Sequence, residues 1–253
     1  IAAEGLVAVA VDGNKGAVVE VNSETDFVAK NDMFQEYVAD AALVALMHNG
    51  EVCDMKTFQC PKVHKSFEER LTDLIAKIGE NMNLRRAAML EVSNGVIASY
   101  VHNACKPNLG KIGVLVALES NGDKAKLQEL GKHIAMHVAA SNPQFLTIAD
   151  VDQASIDHEK AIFSEQAKAS GKPENIIEKM VEGRIKKYFD EVVLEEQAYI
   201  MDPDKKVKQI VADAAKEMGA DIKLKAFVCF RLGEGLEKRN EDFAAEVASQ
   251  LKK

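Results

Sequence analysis

The sequence predicts an α+β fold: two similar subdomains, each a small antiparallel sheet with packed helices, then an antiparallel helical hairpin and a C-terminal helix. Three observations predict it. Two strand–loop–strand segments, 5–21 and 95–119, are each followed by a segment of helical periodicity. A stretch from Ser155 to Tyr188 carries apolar residues mostly at helical spacing and is broken once, by Ser170-Gly171-Lys172-Pro173. Its 253 residues, 47% hydrophobic and 28% charged, suffice for one large core or two small ones.

The first unit opens with the apolar strand Leu6 to Val11, turns at Asp12-Gly13-Asn14-Lys15-Gly16 and returns along Ala17 to Val21. Asp-Gly-Asn between two β-rich runs is a strong hairpin signal. A helix follows, with Phe34, Tyr37, Val38, Ala41, Ala45 and Leu46 on its apolar face. A helical region from Phe67 to Ala76 ends near Gly79, and an apolar strand begins about Ala88. Between them, Arg85 and Arg86 read as adjacent charges on a solvated helix face.

The second unit repeats the plan: Val96 to Val101, a loop from Asn103 to Lys111, Ile112 to Leu118, then a helix from about Asp123 to Ala140. The repetition suggests an internal duplication. The hairpin at Ser155 to Tyr188 buries little by itself, so it projects from the body or docks on a partner. Leu224 to Phe230 returns as a further strand of the second unit, and Phe243 to Ala248 forms a short amphipathic helix. The expected divisions are 1–88 and 89–150 for the two subdomains, 151–204 for the hairpin, 205–232 for the return and 233–253 for a C-terminal module. Ile1 is an abrupt start with no initiator Met and no signal-type core, so an N-terminal portion is expected to be missing.

Composition narrows the function. The longest apolar runs, such as Ala41 to Met47, fall far below the ~20 residues of a membrane span. A net charge of −8 and only six arginines weigh against a nucleic-acid partner. Cys53, Cys60, Cys105 and Cys229 show no pairing pattern and read as thiols of a cytoplasmic protein. Cys53, Cys60 and His64 have the wrong spacing for structural zinc and lack a fourth ligand. His133 and His137 stand at i and i+4, but Ile134 occupies the place where a zinc protease carries its general base. They read as helix-surface or core histidines, with a metal-dependent hydrolase as the rival. No nucleophile elbow, phosphate-binding loop or dinucleotide fingerprint appears, which lowers the reading as an enzyme considerably.

The segment Asn22 to Asp32 leaves a strand and enters a helix. Ser23 or Thr25 can cap that helix, and Glu24 and Asp26 suit its positive end. Phe27 then either folds back as a hydrophobic staple or stays outside the core.

Thr25-Asp26-Phe27-Val28-Ala29-Lys30 resembles the signature of the bacterial elongation factor Ts family. Ala76-Lys77-Ile78-Gly79-Glu80-Asn81, Lys132-His133-Ile134-Ala135-Met136-His137, Gly171-Lys172-Pro173 with Glu178 to Arg184, and Asp242 to Ala248 agree with it, in order. The resemblance implies two similar core subdomains, a coiled-coil arm, a C-terminal module and a small N-terminal helical domain absent from this chain. It implies guanine nucleotide exchange on elongation factor Tu, without catalytic residues or cofactor; the magnesium belongs to the partner. By the same resemblance, Thr25, Asp26, Phe27 and Val28 form the element that disturbs the partner's magnesium and phosphate site, with the Phe27 ring as wedge. Ile78 and Gly79 look like contacts on the same domain of the partner, and His102 and Ile200 like further ones. The loop after His102 is longer than the family pattern. A homodimer or a 2:2 complex, through the arm or the core, is compatible with the sequence. An adaptor that binds through the arm without affecting nucleotide is the second rival.

Overall fold

The computed structural model describes residues 2–61 and 63–236. Their elements in chain order are β1 (Glu4–Asp12), β2 (Lys15–Ser23), α1 (Asp32–Met47), α2 (Val52–Thr57), β3 (Gln59–Cys60), β4 (Lys65–Ser66), α3 (Phe67–Ile78) and β5 (Met82–Glu91). There follow β6 (Gly95–His102), β7 (Leu109–Gly110), β8 (Ile112–Ser120), α4 (Lys124–Ser141), α5 (Gln153–Lys168), α6 (Glu174–Val192), β9 (Ala198–Tyr199), β10 (Asp202–Lys206), α7 (Val207–Met218) and β11 (Ile222–Arg231). The fold is α+β, with small antiparallel sheets.

The first sheet has the order β5-β2-β1-β7 and the second β11-β8-β6. Asp12 pairs with Lys15, so the β1–β2 turn is the two residues Gly13 and Asn14, and Gly13 takes a φ of +59° that costs a glycine little. Side-chain alternation explains how the sheets stack. Leu6, Ala8, Val19 and Val21 face a core shared with Phe34, Tyr37, Val38 and Ala41 of α1. The alternate residues Val7, Val9 and Val18 face Ile97, Leu115, Ala117 and Phe230 of the second sheet. Beyond that sheet, Val96, Val116 and Leu118 pack on Leu127, Ile134 and Val138 of α4. The layers are therefore helix, sheet, sheet, helix, and the strands read as continuous apolar runs because both of their faces are buried.

The sheets approach closely where side chains vanish. A Cβ on Gly16 would lie 2.5 Å from Cγ2 of Ile97, and one on Gly113 would lie 2.6 Å from Cγ1 of Val7. At one edge of this interface Glu20 is fully buried. It accepts from Arg85 Nη1 at 3.1 and 3.2 Å, from Asn22 at 2.9 Å, from the Gly233 backbone N–H at 2.8 Å, and from Arg86 Nε. Burial works to raise its pKa, but the Gly233 N–H, Asn22 and Arg86 together hold it below the ordinary value. Arg85 and Arg86 also donate to the carbonyls of Glu234 and Arg231, tying the chain after β11 to the first sheet.

Several expectations change here. Arg85 and Arg86 lie on a strand and pair with a buried carboxylate; they are not a solvated helix face. The division drawn at residue 88 falls inside β5 and that at 204 inside β10. Helices α2 and α7 and the short strands β3, β4, β7, β9 and β10 add to the expected plan. The amphipathic segment Phe243 to Ala248 lies outside the described residues.

Helices α5 and α6 form the expected hairpin, packed on each other and mostly exposed, with Ala167 and Ile185 their only buried residues. Its root is a set of backbone bonds: Gln144 N–H to Val192 O at 2.8 Å and Leu194 N–H to Phe145 O at 2.8 Å. Among the described residues no helix is long and apolar enough to cross a membrane.

Candidate functional site

Between β2 and α1 the chain makes a 3-10 turn, Val28–Lys30, with Phe27 at its entry. The Lys30 N–H donates to Phe27 O at 3.1 Å and the Asn31 N–H to Val28 O at 2.9 Å. Val28 and Ala29 are buried in the first core, which fixes the turn from beneath. Phe27 points the other way and is 73% exposed. The Lys30 ammonium lies 5.8 Å from its ring centroid, within cation–π range.

Two readings of this segment are thereby decided. Phe27 is not a hydrophobic staple. The cap of α1 is Asn31, whose Oδ1 accepts from the Met33 and Phe34 N–H groups at 2.9 and 3.2 Å; it is neither Ser23 nor Thr25. The 3-10 turn displaces the helix start past both.

Thr25 instead faces the end of α3. Its hydroxyl donates to Glu80 Oε1 at 2.7 Å and its N–H to Glu80 Oε2 at 3.1 Å. Ser23 Oγ donates to the Thr25 carbonyl at 3.0 Å, and the Asn81 N–H to Glu24 Oε2 at 3.2 Å. Helix α3 stops because Gly79 adopts a φ of +81°, its N–H closing on Ile75 O at 2.8 Å. Ile78 is half-buried against the first core, whereas Gly79 is exposed, with no atom within 4 Å of where a Cβ would stand. Thus Thr25 to Val28 and Ile78-Gly79, distant in sequence, are stitched together through Glu80. Of the four expected residues in the turn, Asp26 and Phe27 face solvent, Thr25 is half-buried and Val28 belongs to the core.

His102 ends β6, exposed, its Nδ1 3.1 Å from the Tyr100 hydroxyl. The loop that follows leans on the first unit. Lys106 Nζ meets Asp32 Oδ1 at 2.8 Å and holds that carboxyl below the usual carboxylate range by hydrogen bonding and charge. Gln35 Nε2 donates to Ala29 O at 2.8 Å and lies 3.8 Å from Cys105 Sγ. β7, from the same loop, pairs with β1. The loop thereby braces the Phe27 turn, while His102 has no hydrogen bond to it among the described residues.

Ile200 is at the turn between β9 and β10, 40% exposed, and Met201 beside it is more exposed still. The Ile200 N–H donates to His137 Nδ1 at 3.2 Å. His137 is buried, stacked on Tyr199, and its Nε2 lies 2.8 Å from Gln197 Oε1. These partners define a neutral imidazole, and burial pushes its pKa down despite the Gln197 bond. Both ring nitrogens are engaged, so the pair His133 and His137 is not free to bind a metal. Among the described residues no group of three or more His, Cys, Asp or Glu side chains is placed to hold one. Cys60 is buried, with Arg70 Nη1 3.6 Å from its Sγ, and Cys53 is exposed.

The site is an exposed aromatic ring on a stiff turn, flanked by Asp26 and an open glycine corner. An exposed apolar ring of this kind leaves area in water that only a contact outside the chain can bury. Sequence reasoning missed Glu80 and Met201. Glu80 follows the Gly79 helix stop and belongs to no periodic pattern, whereas Met201 adjoins the expected Ile200.

Comparison with known proteins adds a second line. The family described as Elongation factor TS matches residues 24–234. An elongation factor Ts of Paramagnetospirillum magneticum is 56% identical over 250 residues, covering 99% of this chain and 80% of that protein. Those of Rhodospirillum rubrum and Caulobacter vibrioides are 55% and 54% identical, covering 100% and 98% of this chain and 82% and 80% of theirs.

Proposed function

The chain belongs to the elongation factor Ts family, and from that membership we propose that it is the nucleotide exchange factor for elongation factor Tu, acting in translation elongation through the Phe27 turn. The single observation that carries the turn's role is the 73% exposure of a phenylalanine whose neighbours Val28 and Ala29 are buried. An apolar ring held in water loses the ~1.5–3 kcal/mol that burial supplies, and recovers it on entering a partner's pocket. Inserted beside the nucleotide's magnesium and phosphates, the ring displaces the shell that holds the ion, and Asp26 brings a carboxylate to the same place. Ile78 and Gly79 bear on the same domain of the partner. His102 and Ile200, with the exposed Met201, extend the contact elsewhere.

Speeding nucleotide release ~10⁴-fold requires lowering a barrier by ~5.5 kcal/mol. Phe27 alone falls short, so the other contacts stabilise the nucleotide-free partner. Linkage makes the effect reciprocal: nucleotide weakens binding of this chain by the ratio in which the chain weakens nucleotide. No bond of the substrate is made or broken, the magnesium is the partner's, and the place of action is the cytoplasm, where translation occurs. A homodimer or 2:2 assembly, through the arm or the core, is read from the mass of the complex in solution.

The test is release of labelled GDP from elongation factor Tu with and without this chain. The expected outcome is strong acceleration that falls about tenfold or more in Phe27→Ala, matching the loss of one buried aromatic. Normal exchange by Phe27→Ala overturns the wedge, and no exchange by the parent chain favours an adaptor.

A further inference from the structure

We propose that Glu80 is a positioning residue for exchange: its carboxylate clamps Thr25 and thereby holds Phe27 in the orientation that enters the partner. This inference rests on the Phe27 reading above. The observation behind it is the completeness of the bonding at Thr25. Its hydroxyl and N–H go to the two oxygens of one carboxylate, at 2.7 and 3.1 Å, and its carbonyl accepts from Ser23 at 3.0 Å. Every polar group of the residue two positions before Phe27 is therefore committed. On the other side, Phe27 O is bonded to the Lys30 N–H, and Val28 and Ala29 are anchored in the core. The turn is held at both ends, and the Asp26, Phe27 and Lys30 side chains are left to solvent.

Glu80 is the one member of this set that comes from another element. It follows the left-handed Gly79 that ends α3, and the return bond from the Asn81 N–H to Glu24 Oε2 at 3.2 Å makes the junction reciprocal. Bonds to an ionised acceptor are the stronger class, and two on one residue fix direction as well as distance. A ring presented in its working orientation spares the partner the cost of ordering it, which is where pre-organised contacts gain. The same junction sets the spacing between Phe27 and the Ile78-Gly79 corner, so a lost clamp frees one contact from the other.

The test is a double-mutant cycle on GDP release from elongation factor Tu, using Glu80→Ala, Phe27→Ala and the double variant. Positioning predicts that Glu80→Ala slows maximal exchange about tenfold, the worth of a charged hydrogen bond. In the Phe27→Ala background it is then nearly silent. Thr25→Val, which keeps the N–H but loses the hydroxyl, gives a smaller loss, and Thr25→Ser restores the rate. Additive losses in the cycle overturn the proposal, as does full activity of Glu80→Ala. Amide hydrogen exchange on the free protein separates failure of the clamp from failure of the wedge. In Glu80→Ala the amides of Thr25 and Lys30 lose protection while those of β2 and α1 do not. Unchanged protection at Thr25 overturns the clamp whatever Phe27 does. A general loss, through α1 and β2, shows a structural role instead, and also overturns it. Glu80→Gln, which keeps the side-chain shape, repeats the measurements without a cavity.

Discussion

At the scale of single residues, two groups show how burial decides chemistry. Phe27 contributes little to the home core, so Phe27→Ala is expected to leave the unfolding temperature within the small range of a surface change while exchange falls. His137 is the converse, buried and neutral, with the Ile200 N–H occupying the nitrogen that a second proton needs. Its folded-state pKa is lowered from the ordinary 6.5. The folded state thus resists a proton that the unfolded state takes up, so stability is full above about pH 7 and declines as pH falls from there toward the depressed pKa. Denaturant unfolding from pH 7.5 to 5.5 is expected to show this slope and His137→Gln to flatten it; an unchanged slope assigns it to other groups.

At the scale of elements, α1 is the strut behind the turn, and its start depends on one side chain. Asn31→Ala removes the acceptor of two N–H bonds and is expected to cost about 1 kcal/mol of stability, measured by chemical denaturation. Most elements were legible beforehand, because Asp12-Gly13-Asn14 names a hairpin and Gly79 a helix end. Val207, Ile210 and Val211 of α7 recur at helical spacing, a signal of the same kind. Other features had no local signal. β7 is two residues long, too short for any period, and exists because the loop after His102 reaches β1. Arg85 and Arg86 look solvated until Glu20 is placed beneath them, a partner found only by pairing β2 with β5. The candidate site divides the same way. The sequence leaves Phe27 either folded back as a staple or outside the core, and its link to Ile78-Gly79 runs through Glu80 and is tertiary.

At the scale of the whole molecule, the two units share an interface and are not beads on a string. Val7, Val9 and Val18 of one sheet lie against Ile97, Leu115 and Phe230 of the other, and Gly16 and Gly113 allow the approach. Gly113→Val puts methyl groups where Val7, Val9 and Val18 already stand, and overpacking of this kind costs about 1–3 kcal/mol. Thermal unfolding followed by circular dichroism is expected to show a lower midpoint with the change confined to stability; a wild-type midpoint means that the sheets part more easily than their contact implies. Glu20 closes the same interface at its edge, bonding Arg85 and Arg86 from one sheet and the Gly233 N–H from the chain beyond the other.

The close sheet contact has a mechanical consequence. Because Gly16 and Gly113 carry no side chain, the methyls of Ile97 and Val7 sit directly against the facing strands, so moving one sheet across the other would press them into backbone, a cost that close packing sets.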